Sequence, residues 1–185
     1  MKKLSTLILL TLFGFGCSNT PEDSMNPFFE DYDTPYQIPP FEKIKEAHYI
    51  PAFNQGMEEQ LDEIDVITGN PESPTFENTI VELERTGKTL NKVADVFFNL
   101  LSSNTNDEMD AIAAEISPKL SAHSDSISLN KKLFNRVHEV FEQRNELGLN
   151  TEQKRLVEET HKGFIRSGVQ LDEPSMEILT QINQE

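Results

Sequence analysis

The sequence predicts an all-α protein, an antiparallel array of helices joined by short loops. Three observations carry that expectation. From His48 onward, apolar residues recur every three or four positions, which is the spacing of one helix face. No stretch of useful length alternates apolar and polar residues at period two, as a half-buried strand would. Clusters of Asn, Gly and Pro punctuate the pattern where helices would start and stop.

The first helix is expected from about His48. Ile50, Phe53, Met57, Leu61, Ile64 and Ile67 share one face, and Gly69-Asn70-Pro71 ends it. Pro51 falls in the first turn, where its missing N–H costs nothing. A second, longer helix is expected to open with Ser73 as its cap and Pro74 as its first residue. It carries Phe76, Ile80, Leu83, Gly87, Leu90, Ala94, Phe97 and Leu101 in a heptad-like rhythm. Gly87 on that stripe points to the close approach of another helix, because Gly inside a helix costs about 1 kcal/mol against Ala. Phe97-Phe98 reads as core.

Asn106 is expected to cap a third helix, with Asp107 and Glu108 placed favourably against the helix dipole. Its stripe is Met109, Ile112, Ala113, Ile116 and Leu120, and Pro118 is expected to kink or divide it. Asn130 caps a fourth helix, with Leu133, Phe134, Val137, Phe141 and Leu147 inside and Gly148 at its end. Thr151 caps a fifth, with Leu156, Val157, Phe164 and Ile165 inside and Gly168 near its end. A sixth starts near Pro174, carries Met176, Leu179 and Ile182, and stops at Glu185 without a cap, so the helical domain reads as truncated.

A chain of 185 residues suits one domain. It carries 16 basic and 32 acidic residues, a formal charge of −16. That balance argues against nucleic acid, whose phosphates call for Lys and Arg, and against adsorption on anionic lipid. With one cysteine, Cys17, and no tryptophan, neither an internal disulfide nor a Cys-based metal site is available.

The N-terminus reads as an export signal. Met1-Lys2-Lys3 is basic, Leu4 to Phe15 is mostly apolar, and Gly16-Cys17 follows. This is the pattern of a bacterial lipoprotein signal in which Cys17 receives the lipid. The position three before the cysteine, usually Leu, is Gly14 here. The expected organisation is a signal over 1–16, then a lipidated Cys17, tether and extended arm over 17–40, and a helical domain over 41–185. Residues 18–25 read as the tether, because prolines and acids resist collapse. Phe28, Phe29, Tyr32, Tyr36 and Ile38 suggest that the arm lies on the domain.

The chain offers little catalytic chemistry. A helical zinc peptidase site needs His-Glu-x-x-His, in which residues four apart share a face and the Glu acts as base. None of the four histidines, His48, His123, His138 and His161, fits that pattern. Glu158-x-x-His161 has the spacing of one half of a di-iron carboxylate site, but there is only one copy. His48 reads as a structural hydrogen-bonding group at a helix start, and His123 as solvated. No catalytic or metal-ligating residue is therefore assigned.

Several motifs in series carry a resemblance. They are Asn26-Pro27-Phe28, Thr34-Pro35-Tyr36, and Pro39-Pro40-Phe41-Glu42-Lys43-Ile44-Lys45 followed by His48-Tyr49-Ile50-Pro51-Ala52-Phe53. Pro74-Thr75-Phe76-Glu77-Asn78-Thr79-Ile80 with Leu83-Glu84 comes next. Val96-Phe97-Phe98-Asn99-Leu100, Thr105-Asn106-Asp107-Glu108 and Ser128-Leu129-Asn130 with Leu133-Phe134 complete it. The series resembles the N-terminal region of bacterial peptidyl-dipeptidases, in the thimet-oligopeptidase type of zinc metallopeptidases.

The resemblance implies a mostly helical parent several times longer, with its zinc motif far downstream. It also implies that the N-terminal helices form a wall and partial lid of a channel for short peptides. On that reading zinc is the cofactor of the full-length protein and short peptides are its partners. The lipid at Cys17 would hold it at a membrane of the cell envelope, and the 185 residues alone would be inactive. The alternative is a stand-alone helical envelope lipoprotein that binds a peptide or protein partner.

Overall fold

A computed structural model describes residues 25–184. The signal and Cys17 lie outside the described residues. Within them the fold is all-α, and no strand is present. The helices are α1 Tyr49–Gly69, α2 Glu82–Arg85, α3 Lys88–Ser103, α4 Asp107–Ser128, α5 Lys131–Gln143, α6 Thr151–Arg166 and α7 Glu173–Gln184. No helix among the described residues is long and apolar enough to cross a membrane.

Helix α1 organises the packing. Its 21 residues span roughly 32 Å at 1.5 Å per residue, so it reaches both halves of the core. Its first half packs with α3, α4 and the arm around Tyr49, Phe53, Val93, Phe97, Met109 and Ile116. Tyr49 and Phe53 meet Phe97 edge-on, at ring distances of 4.9 and 5.4 Å. Its second half supplies Ile64 and Ile67 to a second cluster with Phe76, Ile80, Leu133, Val137, Val157 and Phe164, drawn largely from α5 and α6. Helix α7 lies against α4 and buries no residue.

Gly56 explains how α1 and α3 come so close. A Cβ at that position would sit 2.7 Å from the backbone nitrogen of Leu90 and 2.8 Å from its Cα. Only a residue without a side chain allows that approach.

The arm is tied down at Phe28, which is 1% exposed. Asn26 Nδ2 donates to the His48 carbonyl at 2.8 Å. Lys92 Nζ donates to the Phe28 carbonyl at 3.2 Å and to that of Glu30, and lies 4.0 Å above the Tyr32 ring. Tyr36 and Gln37 take left-handed φ values of 59° and 56°.

Several expected boundaries hold. Gly69 ends α1, and the Asn106 and Asn130 side chains accept from the Met109, Lys132 and Leu133 amides. Others move. The long second helix is broken in two. Thr75, not Ser73, is the cap, in a reciprocal pair with Asn78, and Pro74 stays outside the helix. A π-helical turn over Phe76–Val81 leads into α2, and the chain then breaks at Thr86-Gly87. Gly87 is therefore not an interior helix residue. It precedes α3 with φ +72°, and what approaches it is the Gln60 side chain of α1.

Asn150, not Thr151, caps α6, because its side chain and that of Gln153 satisfy each other's amides. Pro118 sits inside α4 without dividing it. Leu61 and Ile165, expected inside, are 38% and 37% exposed. The fourth helix ends at Gln143 and not at Gly148, so Leu147, also expected inside, lies in the turn beyond α5 and is 38% exposed. Phe97 is core, whereas Phe98 is 40% exposed.

Candidate functional site

A cleft of about 490 Å³ lies between α4 and α6. Leu120, His123, Ser124, Ile127 and Ser128 face it from α4, a run of three- and four-residue steps that is one helix stripe. Thr160, Gly163, Phe164 and Ser167 face it from α6 in the same way. Gln60, Leu83 and Leu90 close the remaining side.

His123 stands out in this wall. It is 8% exposed, so the expectation that it is solvated is wrong. The run His123-Ser124-Asp125 looks polar, but α4 turns His123 towards α1 and leaves Ser124 exposed. A hydrogen-bond chain fixes its protonation. Thr86 Oγ1 donates to the Leu83 carbonyl at 2.9 Å, and Gln60 Nε2 donates to Thr86 Oγ1 at 3.2 Å. Gln60 Oε1 is then left to accept from His123 Nε2 at 2.7 Å. Nδ1 is consequently the bare acceptor of the ring, and it is buried without a partner. Burial also pushes His123 below the ordinary histidine value of 6.5, so the ring is neutral at neutral pH.

The hydroxyls nearby are not nucleophiles activated by this ring. His123 Nε2 is held by Gln60, Thr160 Oγ1 donates to the Leu156 carbonyl at 2.8 Å, and Ser126 Oγ donates to the His123 carbonyl at 2.6 Å. The arrangement is suited to binding and carries no acyl-transfer geometry.

The remaining histidines are engaged elsewhere. His48 Nδ1 accepts from the Lys45 amide at 3.0 Å, the structural bond expected at a helix start. His138 Nδ1 and His161 Nε2 are 3.0 Å apart, and the Phe141 ring lies flat on His161 at 3.9 Å. Burial, and next the neighbouring His138, hold His161 below its ordinary value. Glu158 turns instead to Arg144 Nε, 3.4 Å away, whose guanidinium covers Phe141. Glu158 and His161 therefore point to different partners. Among the described residues no three His, Cys, Asp or Glu side chains are grouped to hold a metal ion.

Two further polar groups escaped the sequence reading. Arg136 is 8% exposed and donates to the carbonyls of Asn70 and Glu72, at 3.0 and 3.2 Å, and to Asn78 Oδ1 at 3.1 Å. It pins the loop after α1 to α5. Asp125 accepts from Asn183 Nδ2 at 2.9 Å and so fastens α7 to α4. Neither belongs to a motif, and only the packing of distant segments buries them.

No protein-family model matches this chain. Individual proteins do. The dipeptidyl carboxypeptidase of Salmonella typhimurium is 41% identical over 162 residues, which cover 88% of this chain and 24% of that protein. The dipeptidyl carboxypeptidase of Escherichia coli is 40% identical over 162 residues, with the same coverage. Oligopeptidase A of Escherichia coli is 24% identical over 138 residues, 75% of this chain and 20% of that protein. The chain thus spans about a quarter of the length of the dipeptidyl carboxypeptidases it matches. The ordered motifs from Asn26 onward and this identity agree, and they place the chain in the dipeptidyl carboxypeptidase type of peptidase, as an N-terminal region.

Proposed function

We propose that this chain is the N-terminal part of an exported zinc metallopeptidase that removes C-terminal dipeptides from short peptides. Its helices form a wall and partial lid of the channel that admits those peptides. The observation that carries this reading is the 41% identity across 88% of the chain to a protein named dipeptidyl carboxypeptidase. The basic start, apolar run and Cys17 support export and a lipid anchor in the periplasm or outer membrane. The acidic balance supports the absence of nucleic acid among its partners.

Zinc would be held by residues outside this chain. The four histidines do not fit such a site: His48, His123, His138 and His161 are each turned to a neighbour within the fold. No step of hydrolysis is assigned to them. What these residues contribute is a rigid helical surface, preformed by two apolar clusters.

The test is a chimera in which residues 26–184 replace the matching region of the Salmonella dipeptidyl carboxypeptidase. Release of C-terminal dipeptides from short peptides, abolished by a chelator, supports the reading. A folded chimera without that activity overturns it.

A further inference from the structure

Helices α5 and α6 pack side by side, and each brings one histidine to the same place on the surface. His138 of α5 is exposed, and His161 of α6 is partly so. His138 Nδ1 and His161 Nε2 face each other at 3.0 Å, with ring centres 5.2 Å apart and planes 24° apart. A tetrahedral ion with metal–nitrogen bonds of about 2.1 Å holds two ligand nitrogens roughly 3.4 Å apart. The two nitrogens therefore need to part by only about 0.4 Å to share such an ion.

The hydrogen bond that joins the rings uses one N–H. Moving that proton to the remote nitrogen of its ring gives the other neutral tautomer and frees both facing lone pairs. Both rings are fixed by aromatic packing. Phe134 stacks on His138 and on His161, with ring centres 5.6 and 5.5 Å away, and Phe141 lies flat against His161 at 3.9 Å. Ligands locked in this way lose little freedom when an ion arrives.

The electrostatics suit a cation held by neutral rings. Burial and then His138 lower the His161 pKa, which keeps its lone pair available at neutral pH. Glu142 follows His138 by one helical turn, so the two share a face of α5, and its carboxylate adds negative charge beside His161. The positive Arg144 is drawn towards Glu158, 3.4 Å away. Imidazole nitrogens select zinc, nickel or copper, whereas magnesium and calcium prefer oxygen.

We propose that His138 and His161 chelate one divalent late first-row transition-metal ion, such as zinc, which bridges α5 to α6 with water in its remaining positions. The ion braces the two helices. Neither ring is committed to another hydrogen bond that this would break, since each is the other's partner.

The test is zinc chloride titrated calorimetrically into the full chain, made without an affinity tag and carrying Cys17→Ser. One ion per chain is expected to bind at pH 7.5. His138→Gln and His161→Gln should each weaken it at least tenfold, because one imidazole alone cannot chelate, whereas His48→Gln should change it little. Helical circular dichroism identifies the variants that are folded. Zinc at about 100 times its Kd should also raise the melting temperature of the parent by about 5 °C or more, a gain that a chelator removes and both variants lack. Magnesium should neither give that gain nor displace zinc. Zinc binding weaker than about 1 mM overturns the proposal. So does zinc binding that survives both substitutions or yields to magnesium, which would assign the ion to the acidic surface.

Discussion

Gly56→Ala tests the packing of the core most sharply. In an isolated helix this change is favourable by about 1 kcal/mol. Here the new Cβ would lie 2.7 Å from the Leu90 nitrogen and 2.8 Å from its Cα, against an ordinary contact of roughly 3.5–4 Å. The obstacle is backbone, so no rotamer relieves it, and α1 and α3 must part by close to 1 Å. That opens the layer where Phe53, Val93 and Phe97, all 0% exposed, interlock. Overpacking of this kind costs roughly 1–3 kcal/mol, with the propensity gain offsetting part. We expect a net loss of about 1–2 kcal/mol, or roughly 2–8 °C in melting temperature for a chain of this size. The assay is the loss of helical circular dichroism on heating and in urea. Gly163→Ala is the companion, because its Cβ meets nothing, and it should stabilise by about 0.5–1 kcal/mol. A Gly56→Ala chain as stable as the parent would refute the close approach of α1 and α3.

Three further outcomes are expected. Gly87→Ala forces a side chain into φ +72° and against Gln60, 2.5 Å away, and should lower the urea midpoint by an amount equivalent to about 1–2 kcal/mol or more. Asn150→Ala removes the cap of α6 and should cost about 1 kcal/mol, whereas Thr151→Ala should cost much less. Burial holds His123 and His161 below the ordinary value of 6.5, so the unfolded chain takes up protons first. Stability present above that pH should fall as the pH drops through it, and urea midpoints at pH 7.5 and 5.5 should show a smaller drop for His123→Gln than for the parent.

Much of this fold is legible in the sequence because helix signals are local. The Asn106 and Asn130 caps, the Gly69 stop and the stripe from Phe53 to Ile67 need only neighbours within a few residues. What escaped depends on distant segments. The break before α3 is set by a π-helical turn that brings Phe76 and Ile80 onto α5 and α6, and by Gln60 packing on Gly87. A heptad-like run across residues 76–101 gives no hint of either. His123 misled for the same reason, since its sequence neighbours are polar and the group that buries it lies 63 residues earlier. The candidate cleft could be found only once α4 and α6 were placed side by side. The kinship with peptidases, by contrast, was carried by ordered motifs that require no three-dimensional information.

On the proposed function, these residues form a non-catalytic part of a dipeptidyl carboxypeptidase-type enzyme. Dipeptide release by the isolated chain and by the chimera, each with and without chelator, tests it directly. No release by the isolated chain and chelator-sensitive release by the chimera are expected. Chelator-sensitive release by the isolated chain, or a folded but inactive chimera, would contradict it.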